Sequence, residues 1–244
     1  MRNAIKEAMR RLAVRSHFGG KWFSHRETTR PHFSGSGSYW EERYSSGGNS
    51  GRGSYGELAE FKAAVINQFL AGHRLGSVIE FGCGDGNQLS LAKYPTYLGF
   101  DVSPAAVTQC RGRFTKDTTK QFRLLRDYHG EKADLTLSLD VIFHLVEDDV
   151  FADHMTKLFE SSNRYVIIYA SNTNASPQCT APHVRHRRFT TWIQRNMPQW
   201  RLIRQIPNKY PSHGDSTQGS FAEFFIFTRT QPSEMPRPSC VLEE

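Results

Sequence analysis

Residues 78–86 read VIEFGCGDG: an apolar run, one acid, then glycine at every second position. A β-rich run that ends in Gly82, Gly84 and Gly86 and leads into a helix-like segment is the strand-to-helix turn of a parallel sheet. Isolated glycines are ordinary in loops. Three at fixed spacing imply a backbone that turns sharply, without Cβ atoms, close to a ligand. On this reading the backbone N–H groups of the turn, with the N-terminus of the following helix, face that ligand.

The rest of the chain extends the pattern. Strands are predicted at 77–81, 97–101, 121–125, 134–140 and 164–170, with helical segments at 87–93, 104–114 and 147–161. Such alternation indicates a parallel sheet covered by helices on both faces. The end departs from it. A helix at 189–197 is followed by WRLIRQI (200–206) and SFAEFFIFTR (220–229), two strands with no helix between, which are expected to pair antiparallel at one edge. Upstream, Leu58, Phe61, Val65 and Phe69 recur at helical spacing, with a Ser54–Glu57 capping box predicted at the start and Gly72 at the stop. Residues 33–54, FSGSGSYWEERYSSGGNSGRGS, read as a flexible connection holding one ordered turn of helix.

At 244 residues the chain suffices for one sizeable domain. Its four cysteines, Cys83, Cys110, Cys179 and Cys240, show no paired spacing, which excludes a disulfide framework and points to a reducing, cytoplasmic setting. No apolar run reaches the length of a membrane span, and the N-terminus lacks the apolar region of a secretory signal. The net charge of +7 is uneven: residues 1–36 hold eight Lys/Arg against Glu7 and Glu27, a balance of +6, leaving +1 for the remainder. The expected organisation is a basic arm (1–36), a body (37–229) whose first part (37–72) is a cap, and a disordered tail (230–244). A basic arm on a neutral body argues against a nucleic-acid groove across the fold; the arm itself reads as a solvated or loosely docked segment, with contact to an anionic membrane surface, a nucleic acid or an acidic partner as the alternatives. The spacing of Ile5, Met9 and Leu12 with arginines between them also leaves an organellar transit peptide open.

The second strand ends in YLGFDVS, placing Asp101 nineteen residues after Gly82. An acid there accepts hydrogen bonds from ribose hydroxyls, which points to a nucleoside-containing cofactor. The glycines are spaced GxGxG rather than the GxGxxG of dinucleotide enzymes, with Glu80 just upstream. This resembles the first motif of the class I S-adenosylmethionine-dependent methyltransferases, and the resemblance runs over roughly residues 38–229. It implies a Rossmann-like, seven-stranded, mostly parallel sheet with helices on both faces, an antiparallel final hairpin and an N-terminal helical cap. It also implies S-adenosylmethionine as cofactor, held by Glu80, Gly82, Cys83, Gly84, Gly86 and Asp101, with Asp127 and Tyr128 near the adenine. YWEERY (39–44) resembles the family's lid, with Trp40 over the cofactor and Arg43 as partner for the methionine carboxylate. An aromatic staple holding the cap to the sheet is the other reading of that cluster.

Methyl transfer from a sulfonium needs alignment and, for a hydroxyl acceptor, removal of a proton. His144, four residues past Asp140, is the candidate base, with Asp140 next in line; the alternative is a histidine that shapes the loop. After the fifth strand, APHVRHRRF supplies His183, Arg185, His186, Arg187 and Arg188, read as a cradle for a phosphate or carboxylate or else as a solvated basic loop. Cys179, His183 and His186 lack a fourth ligand nearby, so no metal is expected. The reading is transfer to a small, polar, anionic acceptor, sugar-like or phosphorylated, at oxygen. The alternatives are a nucleic-acid (RNA) methyltransferase and an inactive cofactor-binding module acting through the arm. Against the first, the fourth strand ends in DVIF rather than [DN]PP[FY].

Overall fold

Alternating side chains along five β-rich runs build two cores, one on each face of a single sheet. The structure, a computed structural model, describes residues 33–175, 181–212 and 219–230. The arm up to residue 32, the tail from residue 231, Cys179 and Cys240 lie outside the described residues. Strands β1 (Ser77–Phe81), β2 (Thr96–Asp101), β3 (Lys120–Leu124), β4 (Ala133–Leu139) and β5 (Ser162–Ala170) fall within two residues of their predicted bounds. Leu135, Leu137, Ile167 and Tyr169 join one core with Ile66, Phe69 and Leu70 of α2 (Gly56–His73) and Val107 and Cys110 of α3 (Pro104–Arg113). Val166, Ile168 and Ala170 turn the other way, against Met155, Leu158 and Phe159 of α4 (Asp148–Glu160) and Phe189 and Ile193 of α5 (Phe189–Asn196). The period-two pattern and the two helical layers thus specify each other.

With β6 (Trp200–Ile206) and β7 (Glu223–Arg229) the sheet has seven strands in the order β3-β2-β1-β4-β5-β7-β6. β7 pairs antiparallel with β5 and β6, and the other pairings are parallel, so the final hairpin closes one edge as expected. β7 lies inside and buries Phe224–Phe227, whereas β6 is the edge and exposes Arg201 and Arg204, charges that discourage further pairing. The strand order reverses between β1 and β4. In an open α/β sheet the ligand crevice lies there, at the carboxyl ends of the strands.

Four local expectations are corrected. Residues 33–54 hold α1 (Ser36–Ser45), a ten-residue helix rather than one turn. Its start is anchored by Ser36, whose N–H donates to Glu147 Oε1 at 2.8 Å and whose hydroxyl donates to Oε2 at 2.5 Å. The capping box does not form: α2 begins at Gly56 with Tyr55 as N-cap and no side-chain cap, while Ser54 belongs to the short turn Arg52–Ser54. The helix stops at Arg74, in the left-handed region at φ 52°, not at Gly72. The helix expected at 87–93 is one 3₁₀ turn, Gln88–Leu91. No described helix is long and apolar enough to cross a membrane.

Candidate active site

The glycine turn leaves β1 at the switch point. Gly82 and Gly84 adopt φ of 88° and 56°. A Cβ at Gly82 would stand 2.5 Å from Val141 Cγ2, and one at Gly84 would stand 2.3 Å from Ser50 Oγ. Gly86 serves packing instead, since a Cβ there would meet Phe114 at 2.9 Å and Cys110 at 3.0 Å, on α3 and just past its end. The expectation that the turn's N–H groups face a ligand does not hold. Gly82 and Cys83 both donate to Phe100 O, Gly84 to Asp101 Oδ2, Asp85 to Ser50 Oγ, Gly86 to Cys83 O and Asn87 to Asp85 Oδ1. The donors are spent within the chain, because a turn this tight must satisfy itself. What remains is a space cleared by missing Cβ atoms, without the donors that a pyrophosphate requires.

Two buried acids border that space. Asp101 accepts from Gly84 N–H at 2.9 Å and Ser103 N–H at 3.0 Å; burial raises its carboxyl above the usual range, against these bonds. Glu80 accepts from Tyr97 Oη at 2.7 Å, and burial pushes its carboxyl up to about 7. Glu80, Gly82, Cys83, Gly84 and Asp101 line a cavity of about 270 Å³, together with the apolar Phe100, Val102, Leu125 and Val150 and with Trp40, Tyr44 and Lys62. A buried acid bonded to a Cβ-free turn, apolar lining and no phosphate cradle fit a nucleoside with an amino-acid tail. Asp127 and Tyr128 do not line this cavity. Asp127 is exposed, and Tyr128 hydrogen-bonds Ser161 Oγ at 2.6 Å; Leu125 is the residue of that segment that reaches the space.

The loop after α1 is fastened over the turn. Asp85 Oδ2 accepts from Ser50 N–H at 2.9 Å and Tyr55 Oη at 2.7 Å, and Tyr44 Oη meets Ser50 Oγ at 3.0 Å. Burial works against the Asp85 carboxylate, yet the donors from Ser50, Asn87 and Tyr55 hold it below the usual range.

A second cavity, about 380 Å³, adjoins the first and is walled by Tyr39, Arg43, Arg52, Phe143, His183 and Phe221. Trp40, Ser50, Asp140 and His144 line both. Arg43 therefore faces the second cavity rather than the first; its Nε donates to Asn49 O at 2.6 Å and its guanidinium lies 5.7 Å from the Trp40 ring centre. Neither Arg43 nor Arg52 has an ion-pair partner among the described residues. His144 Nδ1 lies 3.0 Å from His183 O, and burial pushes its pKa down to about 4.

Of the loop after β5, His183 reaches the second cavity; Arg185, His186 and Arg187 do not. Arg185 and Arg187 both pair with Asp148, at 3.1 and 3.0 Å, and donate to the carbonyls of Val146 and Leu145, tying the loop to the start of α4. His186 Nδ1 bonds Ser171 Oγ at 2.6 Å. The site also holds residues that spacing did not single out. Lys62, fully buried, lies 2.5 Å from Asp140 Oδ2. Its signal was a lysine on the buried face of α2 between Leu58 and Ile66. Asp85 was visible as the one acid inside the glycine turn, and Arg52 carried no signal.

Residues 79–166 match the family model of a methyltransferase domain. A search of curated protein sequences returns no match. Among solved structures, the chain resembles the N-methyltransferase NodS from Bradyrhizobium japonicum WM9 in complex with S-adenosyl-L-homocysteine (14% identity, TM-score 0.62, 81% of this chain and 100% of that one). It also resembles the methyltransferase domain of bacterial CtHen1-C (20% identity, TM-score 0.55, 72% and 100%). A third is magnesium protoporphyrin IX methyltransferase from Synechocystis PCC 6803 with bound S-adenosylmethionine (16% identity, TM-score 0.53, 82% and 95%). At these identities the structures speak to the fold. The family match starts inside β1 and ends inside β5, so the methyltransferase-domain likeness covers the strands that carry the glycine turn and Asp101, and the sheet around them has the Rossmann-like fold of these methyltransferase structures.

Proposed function

We propose that this enzyme methylates an oxygen of a small anionic acceptor held in the cavity of Tyr39, Arg43, Arg52, Phe143, His183 and Phe221. The observation that carries the reading is the shared lining: Trp40, Ser50, Asp140 and His144 border both cavities, so the two spaces adjoin there. S-adenosylmethionine, when bound, supplies a methyl group already activated on sulfur. The chain's share is to hold and align. Asp101 takes the ribose hydroxyls with lone pairs not used by Gly84 and Ser103. Val102, Leu125 and Val150 would supply apolar surface for the cofactor's base, and Trp40, Tyr44 and Ser50 would help to hold the rest of it.

His144 is suited to take the acceptor's proton. A carbonyl oxygen only accepts, so Nδ1 carries the hydrogen that bonds His183 O, and Nε2 keeps its lone pair. Burial keeps the ring neutral down to about pH 4. The two arginines without ion-pair partners supply charge for a carboxylate or phosphate, and the aromatic walls suit a flat or sugar-like body.

The test is a panel of hydroxyl-bearing carboxylates and phosphates incubated with S-adenosylmethionine, with methylated products read by mass spectrometry. With the acceptor in hand, Arg52→Met is expected to raise KM about tenfold at nearly constant kcat, the loss of one charge-assisted hydrogen bond. The kcat/KM profile is expected to lose activity only below about pH 5, because His144 protonates near 4 rather than 6.5. Methylation of neutral acceptors alone, or of RNA in place of small acids, overturns the proposal.

A further inference from the structure

Lys62 and Asp140 form an ion pair whose side chains are 1% and 17% exposed. Taking both charges out of water costs about as much as their attraction returns, so stability alone does not explain the pair. Asp140 also adopts φ 59°, the left-handed region that non-glycine residues seldom occupy, with its N–H fixed on Tyr169 O at 2.9 Å. The lid loop presses on the same carboxylate: a Cβ on Gly53 would come 2.7 Å from Oδ2. Lys62 is held in turn, its Nζ 5.2 Å from the Tyr169 ring centre. Only Oδ2 is engaged by Lys62. Oδ1 makes no hydrogen bond among the described residues, and Asp140 borders both cavities.

We propose that Asp140 accepts a hydrogen bond from the group standing at the methyl-transfer point, and that Lys62 is the positioning residue that keeps this carboxylate aimed between the cavities. The proposal rests on the S-adenosylmethionine reading and deepens it. Lys62 cancels the charge of Asp140, so the pair offers direction rather than net charge. A bare carboxylate beside a sulfonium would favour the bound ground state, whose positive charge disappears during transfer, and would slow the reaction. A neutralised carboxylate orients an acceptor O–H or N–H along the transfer axis without that penalty.

Two cofactor analogues test this without knowledge of the acceptor. Sinefungin replaces the methylsulfonium by an amine-bearing carbon and so presents N–H donors at the transfer point; S-adenosylhomocysteine presents none. By calorimetry, the wild type is expected to bind sinefungin about tenfold tighter than S-adenosylhomocysteine, the worth of one charge-assisted hydrogen bond. In Asp140→Asn that ratio should fall to about twofold, with S-adenosylhomocysteine affinity changing far less; Lys62→Met, which leaves a bare carboxylate beside sinefungin's ammonium, should raise the ratio several-fold, while Lys62→Arg keeps it near the wild-type value. S-adenosylhomocysteine binding also reports folding. If Asp140→Asn fails to fold because it leaves Lys62 buried and unpaired, the double variant Lys62→Met/Asp140→Asn, which buries no charge, gives the same fall in the ratio. An unchanged ratio in any variant that removes the pair overturns the proposal alone. A wild type that binds neither analogue overturns the cofactor reading, and the proposal with it.

Discussion

The two cavities that meet at Trp40, Ser50, Asp140 and His144 are built in opposite ways. The glycine and carboxylate framework of the first cavity comes from one strand–turn–strand unit, Glu80 to Asp101, whose donors and acceptors are paired mostly with one another and also with Ser50, Tyr55 and Ser103. The second cavity is assembled from α1, the loop after it, the turn after β4, the loop after β5 and the segment before β7. A locally closed unit tolerates little change. A wall gathered from distant loops can alter its side chains while the sheet beneath stays intact, which is how one fold serves many acceptors.

The sharpest way to break this contrast is Gly84→Ala. Its φ of 56° and the 2.3 Å approach to Ser50 Oγ leave no room for a methyl group. Calorimetry with S-adenosylhomocysteine should show at least about a hundredfold loss, since a Cβ both strains the backbone and displaces the lid. Retention of affinity within about tenfold would mean that the unit is more pliant than its bonding suggests.

A smaller effect is expected where the two sides touch. Asp85→Ala removes the bonds that fasten Ser50 and Tyr55 to the turn. Stopped-flow dissociation of the cofactor product should quicken about tenfold while the melting curve stays cooperative, because a lid is released rather than a core. An unchanged dissociation rate would show that the loop is held by its other contacts.

The smallest effect belongs to the arginines after β5. Arg185→Met with Arg187→Met loses the contacts with exposed Asp148 and with the carbonyls of Val146 and Leu145. Cofactor affinity should stay within about twofold, and KM for the acceptor should move less than in Arg52→Met, since an exposed ion pair contributes little. A large rise in KM in this double variant would restore the loop as the anion cradle and displace Arg52.

These contrasts follow what was legible in the sequence. The strands, their faces and the edge hairpin were readable because period-two burial is written residue by residue in Leu135, Leu137 and Leu139. Glu80, Gly82, Gly84 and Asp101 were readable because their spacing within one unit fixes their geometry. The extent of α1 was not, since Gly37 and two serines argue against a helix that the anchoring of Ser36 on Glu147 secures. Nor was the fate of the Ser54–Glu57 pair, because Ser54 instead gives its carbonyl to Asn87 Nδ2 at 2.8 Å.

By itself, then, the sequence determined a doubly covered sheet, a switch-point turn and a nucleoside-type acid, all carried by neighbouring residues and local sterics. Only the tertiary structure decided that the turn's donors point inward, that Lys62 meets Asp140 across 78 positions, and that Arg43 and Arg52, not Arg185 and Arg187, face the second cavity. The physical reason is that charges and lone pairs choose partners by distance in space. Asp148 stands beside one pair of arginines, while the other pair forms no ion pair among the described residues.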